Sequence, residues 1–314
     1  MKDNSFNSNM GTNEYVLVLK NNNGSTAAKE RASKTARVLS LIITYAFLVF
    51  MGLIIIFPFY WMIITSLKSG EEINRLIPTF FPQTIMWENY ATAVSRLNFG
   101  VLLKNTLIVG IFSTLGTLIT TIFAAFAFAK LSFKGRDLMF AILLGTMMIP
   151  GEMMVITNYI SVSRLGMTDS NFGNYLAMIL PFMVSVFYIY LLRQNFKQIP
   201  NELYLAAKVD GKSDWSFLWK VLVPLAMPTL TTIFILKLMG AWNSYVWPDL
   251  ITHSNKDMWL ITVGLRNSFD TAGNIDDYGA QMAATVIVTV PLLLVFIFFR
   301  KYIMRGVGRA GIKG

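Results

Sequence analysis

Residues 199–228, IPNELYLAAKVDGKSDWSFLWKVLVPLAMP, form the one long polar passage set between strongly apolar segments that still carries folding signals. Pro200 fixes the approach to a helix, Asn201 is placed to cap it, and Glu202 sits where a helix dipole favours negative charge. Asp210-Gly211 supplies the stop, because glycine tolerates the left-handed conformation that ends a helix. Ser213 and Asp214 offer a second cap before Trp215–Leu222. The passage therefore predicts two short helices around a glycine turn. Leu203, Ala206, Ala207 and Asp210 recur at three- and four-residue spacing, so one side of the first helix is small and apolar. A helix of about eight residues is marginal alone in water and needs a surface to pack on. Two readings stay open at this point: a helix lying along the lipid interface, or one that docks in a groove of a partner protein.

Of the 314 residues, 54% are hydrophobic and 14% charged, with a mean hydropathy of +0.53. That is too apolar for a soluble protein and too evenly spread for a single buried helix, so the chain reads as a multi-pass membrane protein. The net charge of +10 is explained by Lys and Arg on cytoplasmic loops rather than by nucleic acid. With no cysteine there is no disulfide and no thiolate metal site. The single His253 lacks a second histidine to form a ligand pair and reads as solvated.

Residues 1–37 are polar and rich in Asn, Ser and Lys, and read as a disordered cytoplasmic tail. The apolar run Val38–Leu67 is about twice the length of a signal-peptide core, so it is taken as the first span, kinked at Pro58. Further spans are expected at Val101–Ala129, Asp137–Ile160 with a break at Pro150-Gly151-Glu152, Phe172–Leu192, Val221–Trp247 and Gln281–Phe299. Six spans put both termini on one side. The basic turns at 130–136, 193–220 and 300–313 share that side, which the positive-inside rule makes the cytoplasm. The permease domain thus covers 38–304, with the two short helices at 199–220 on its cytoplasmic side and a tail at 305–314.

At this point the chain resembles the permease subunits of binding-protein-dependent ABC carbohydrate importers, the family that includes the smaller membrane subunit of the bacterial maltose transporter. That family's cytoplasmic motif, Glu-Ala-Ala, three residues, Gly and a later Leu-Pro, is met by Ala206-Ala207, Asp210-Gly211 and Val223-Pro224. Ser66-Leu67-Lys68, Glu88-Asn89-Tyr90, Asn105-Thr106, Phe133-Lys134-Gly135-Arg136, Met148-Ile149-Pro150, Trp242-Asn243 and Trp247-Pro248 match in order. One residue departs: the motif's glutamate falls at Leu205, so the chain either docks without that charge or uses Glu202, one turn earlier.

The resemblance implies an all-α membrane protein with the type I ABC importer permease fold, embedded in a bacterial inner membrane. It also implies two ABC ATPase subunits, a second permease subunit that is a different chain, and an extracytoplasmic sugar-binding protein. ATP and magnesium would sit on the ATPase and no cofactor on this chain. The residues agree independently, because no Gly-x-x-x-x-Gly-Lys-Ser/Thr loop is present and any ATP must be bound elsewhere. By the same analogy Glu202, Leu203, Leu205, Ala206, Ala207, Asp210 and Gly211 form the ATPase-docking site. The tail 308–314 reaches toward the ATPase, and the loop 250–279 meets the binding protein.

Few charges fall inside the spans. Glu152 and Lys237 lie at comparable depths in the outer half, counting about 1.5 Å per residue. They are candidates to pair or to line the solute path; the alternative is a snorkelling lysine and a solvated glutamate. Trp242 and Asn243 are further path candidates, while Trp247 suits an interfacial aromatic belt. A membrane enzyme would need a catalytic constellation that the spans do not show, and an ion-coupled carrier would need more intramembrane ionisable groups. A permease for a non-sugar solute keeps the same fold and remains the main alternative.

Overall fold

The computed structural model describes residues 12–253, 255–269 and 277–308, with side chains for 37–253, 255–269 and 278–300. Among these residues there are helices and turns but no strand. In chain order the helices are α1 (Thr12–Ser66), α2 (Gly70–Ile73), α3 (Glu88–Arg96), α4 (Phe99–Lys130), α5 (Arg136–Thr146), α6 (Val155–Arg164), α7 (Asn171–Ile179) and α8 (Val186–Gln198). Then come α9 (Asn201–Val209), α10 (Asp214–Phe217), α11 (Val223–Leu225), α12 (Met227–Trp242), α13 (Val246–Thr252), α14 (Ile261–Asn267) and α15 (Asp277–Gly308). The backbone of 12–37 is therefore helical where the sequence suggests an irregular tail. Ala27, Ala28, Lys29, Glu30, Arg31 and Ala32 are strong helix formers, and adding turns to an existing helix avoids the cost of a new nucleus.

Three segments are long and apolar enough to cross a membrane unbroken: Arg37–Ser66, Phe99–Lys130 and Tyr278–Arg300. Three more arise only as bent pairs, Arg136–Thr146 with Gly151–Arg164 at 84°, Asn171–Phe182 with Val186–Gln198 at 50°, and Asp214–Leu225 with Met227–Trp242 at 76°. Counted as one span each, these make six. The break at Pro150 is the expected one; the other two are not anticipated from the apolar pattern. Each lies next to a proline, which lacks an amide hydrogen and crowds the carbonyl four residues back. Pro181 stands before the fourth span's break, and Pro228 opens α12 after the fifth's. Pro224 follows a π-helical turn at Leu218–Leu222, which widens the backbone where the regular ladder cannot continue.

The chain divides into two units, 1–61 and 62–314. In the first, none of the described residues 37–61 is buried, and the helix is apolar all round, which suits lipid or another membrane chain. In the second, α4 is the central element, packing against α7, α8, α12 and α14. Small and hydroxylic residues on α4 permit that closeness: Thr106, Gly110, Ser113, Thr114, Gly116, Thr117 and Thr121 are all buried. In a bilayer such residues let backbones approach, since burial of apolar surface no longer separates one helix arrangement from another. A side chain at Gly116 would start 2.2 Å from Met183 Cε.

The break in the fourth span is held by its neighbours. Pro181 offers no amide to the Ala177 carbonyl, and the Trp247 indole nitrogen donates to that oxygen instead at 3.1 Å. The Phe182 carbonyl accepts from Thr117 Oγ1 at 3.1 Å and Lys237 Nζ at 2.9 Å, and the Met183 carbonyl from Thr120 Oγ1 at 2.6 Å. A non-helical backbone is tolerated at membrane depth only when other groups satisfy it in this way. Trp247 is thus a buried core residue, edge-on to Phe182 with ring centroids 5.5 Å apart, rather than part of an interfacial belt.

Candidate functional site

The first part of the site is the pair of short helices predicted at 199–220. Pro200 rather than Asn201 occupies the cap position of α9. The Asn201 side chain is committed elsewhere: its Oδ1 accepts from Lys130 Nζ at 2.8 Å, and the same ammonium donates to the Ile199 carbonyl at 2.8 Å. Lys130 closes α4 and is only 8% exposed, so its charge needs these acceptors and in return ties the start of α9 to the central helix. Glu202 lies close enough for its charge to act on the same ammonium.

The turn forms as the sequence implies. Gly211 is left-handed, with φ of 69°, and the Gly211 and Lys212 amides donate to the Lys208 and Ala207 carbonyls at 3.0 and 2.9 Å. Ser213 caps the next helix, its Oγ accepting from the Ser216 amide at 3.2 Å. Asp214 plays a different part from capping. Its Oδ1 accepts from the Tyr204 hydroxyl at 2.6 Å and pairs with Lys208 Nζ at 2.8 Å, which bridges the two helices across the glycine turn. The bond to Asp214 holds Lys208 above the usual lysine range, while burial, with Asp214 adding to it, pushes the Tyr204 phenol up. Tyr204 remains a donor.

The two faces of α9 divide cleanly. Tyr204 and Ala207 pack inward on a cluster containing Leu192, Phe196, Phe217 and Leu218. Leu205 and Val209, 62% and 88% exposed, point away from the protein with Glu202, Leu203, Ala206, Asp210 and Gly211. Ala207 therefore belongs to the supporting side of the helix. Val209, four residues after Leu205 and on its face, was missed, although that spacing identifies it.

The second part is a cavity of about 280 Å³ among α4, α7, α8, α12 and α13, lined by Ser113, Phe182, Tyr188, Lys237, Ser244 and Trp247 among others. Lys237 lines this cavity, and its ammonium binds the Phe182 carbonyl and not Glu152. Glu152 is exposed in the short 3-10 turn Gly151–Met154 at the 84° bend, because that bend carries it out of line with the span. Trp242 is buried in the core and Asn243 is exposed just past the end of α12; neither lines the cavity. The fifth span stops at Trp242, five residues short of expectation, and this leaves Asn243 in a turn.

Several motif pieces serve as scaffold. Asn105 Nδ2 donates to the Asp257 and Trp259 carbonyls at 2.8 and 3.2 Å, its Oδ1 accepts from Tyr175 at 2.6 Å, and Thr106 Oγ1 accepts from the Ile261 amide at 2.8 Å. These bonds fasten the segment after α13 to α4. Asn89 Nδ2 donates to the Ser66 and Lys68 carbonyls, and Tyr90 and Ser66 hydroxyls meet at 2.8 Å. Gly279 has to be glycine-sized here, since a Cβ would stand 2.6 Å from Asn89 Nδ2. Glu72, buried, accepts from the Thr79 hydroxyl and the Gln83 amide. His253 is exposed, as read from the sequence. Residues 309–314, and 270–276 of the outer loop, lie outside the described residues.

Comparison with known proteins bears on this arrangement. The arabinooligosaccharides transport system permease protein AraQ of Halalkalibacterium halodurans is 29% identical over 284 residues, covering 90% of this chain and 99% of that protein. The sn-glycerol-3-phosphate transport system permease protein UgpE of Yersinia pestis is 28% identical over 260 residues, covering 81% and 91%. A crystal structure of a bacterial ABC transporter involved in the import of the acidic polysaccharide alginate superposes with a TM-score of 0.72 at 24% identity, over 83% of this chain and 95% of that one; it supports the fold. The pattern of one family, described as binding-protein-dependent transport system inner membrane component, matches residues 24–309. The chain belongs to that family, as a multi-pass inner-membrane permease subunit of an ABC importer that is not itself catalytic.

Proposed function

We propose that the subunit carries a sugar or short oligosaccharide into the cytoplasm, driven by two ABC ATPase subunits that bind ATP and magnesium and grip the face of α9. A second, different permease chain completes the path, and an extracytoplasmic binding protein delivers the solute. The observation that carries the docking assignment is the outward face of α9: Leu205, Ala206 and Val209 are apolar and exposed on a helix whose opposite face is anchored. A short helix held rigidly with an uncovered apolar face fits the helix-in-groove mode of recognition. Leu205 stands where the family motif has a glutamate, so docking here rests on apolar contact. Glu202, exposed one turn earlier, is the remaining candidate for that charge.

The sugar assignment is supported by relatives such as the arabinooligosaccharide permease protein, aligned over nearly its whole length. A second reading, a phosphorylated polyol, is favoured by the glycerol-3-phosphate permease protein at almost the same identity. Co-expression with the ATPase and the partner permease, followed by ATP-dependent uptake of labelled arabinooligosaccharide, lactose and glycerol 3-phosphate into proteoliposomes, separates the two. Uptake of none of them in the presence of a loaded binding protein would remove both.

A further inference from the structure

The Lys237 ammonium is placed unusually for a cation inside a membrane span. A lysine in such a position ordinarily extends to the interface. Here Nζ turns inward, lines the cavity and donates to the Phe182 carbonyl at 2.9 Å. Among the described residues no carboxylate pairs with it. One carbonyl uses one of its three donors, and the helix end at Phe182 answers at most about half an elementary charge. The Phe182 ring, 6.0 Å from Nζ, adds only a weak cation–π attraction.

Around this charge the cavity is equipped for a small polar ligand. The Tyr188 hydroxyl and Ser244 Oγ make no hydrogen bond among the described residues, and both residues line the cavity with Lys237. Phe182 and Trp247 supply aromatic surface. A volume of about 280 Å³ accommodates roughly one sugar ring, at the small end of the range for ligand sites. A half-buried cation answered by one carbonyl favours an arriving anion over a neutral solute of the same shape.

We propose that this cavity is an anion-selective station on the solute path: it takes a sugar ring bearing a carboxylate or phosphate, with Lys237 pairing the acid group and Tyr188 and Ser244 the hydroxyls. The inference rests on the permease reading and adds to it the class of solute. The test is ligand-observed NMR on the assembled complex in nanodiscs, titrated with glucuronate, glucose 6-phosphate and glucose. At least one acid is expected to bind tenfold or more tightly than glucose, as one charge-assisted bond implies, and comparing the two acids tells carboxylate from phosphate. Lys237→Gln should abolish the preference for the acids over glucose; Lys237→Arg should keep it. Glucose binding as well as both acids in the unaltered complex overturns the proposal, whatever the variants do. So does a preference that survives in Lys237→Gln, or a Lys237→Gln complex whose permeases separate while no acid is preferred, since an acid on the partner chain would then be the counter-charge. ATP-driven uptake of a neutral sugar by a complex without acid preference would refute this inference and leave the permease function intact.

Discussion

Tyr204→Phe isolates the bond that joins the two short helices. The ring keeps its edge-to-face contact with Phe217, centroids 5.1 Å apart, so only the hydroxyl donating to Asp214 at 2.6 Å is lost. A hydrogen bond to a charged group contributes about 1.5–3 kcal/mol. Asp214 is 42% exposed, so water replaces part of the bond and about 1 kcal/mol is the appropriate figure. At about 2.1 cal/mol/K of unfolding entropy per residue, that shifts the melting temperature by about 1–2 °C. The mechanical effect is larger. The two helices meet at the Gly211 turn, and among the described residues the polar side-chain ties across it are Tyr204–Asp214 and Lys208–Asp214. If the ATPase moves α9 and α10 carries that movement to the spans, about 1 kcal/mol less across the turn permits about fivefold more of the bent, non-transmitting state. Uptake and ATP hydrolysis measured together in proteoliposomes should show fewer solutes moved per ATP in Tyr204→Phe, and fewer still when Lys208→Met is added, while basal hydrolysis is retained. An unchanged ratio in the double variant would refute the idea that the two helices act as one lever.

Three further outcomes follow from the packing. Val209→Asp, at a fully outward position, should abolish co-purification of the ATPase without shifting the melting temperature, whereas Ala207→Asp, on the inward face, should lower the melting temperature itself. Asn105→Ala leaves two carbonyls and the Tyr175 hydroxyl without their partner, at a cost of about 1–3 kcal/mol for each group left dry; hydrogen exchange across 255–262 should rise before the rest of the protein loosens. Gly173→Ala places a Cβ 2.5 Å from the Met167 backbone oxygen, and since backbone has to move, a loss of about 1–3 kcal/mol is expected in thermal unfolding.

The short helices were legible because their signals are local. A left-handed glycine, a serine cap and a small-residue spacing each act within one turn, so reading them needs no knowledge of what lies across the fold. The polar motif pieces were visible but not their purpose, since Asn105 finds Asp257 and Trp259 more than 150 positions away. Counting residues places Glu152 and Lys237 at comparable depths and so makes pairing one option, but that count holds only for straight spans, and the 84° and 76° bends break it.

The bends themselves expose why hydropathy could not reveal them. A run of apolar residues satisfies the bilayer whether its helix is whole or broken, provided that something answers the freed carbonyls. Pro181 was the available clue, but proline inside a membrane helix is compatible with a mild kink as well as with a break. What decides between them here lies on other elements: Thr117 and Thr120 on α4, Lys237 on α12 and Trp247 on α13 supply the donors that the fourth span lacks. Two of these four residues, Lys237 and Trp247, also line the cavity, so the break in the fourth span and the chamber beside it share their supports. A substitution that restored an unbroken fourth helix would leave Lys237 and Trp247 without their acceptors and would cost the cavity its charged wall.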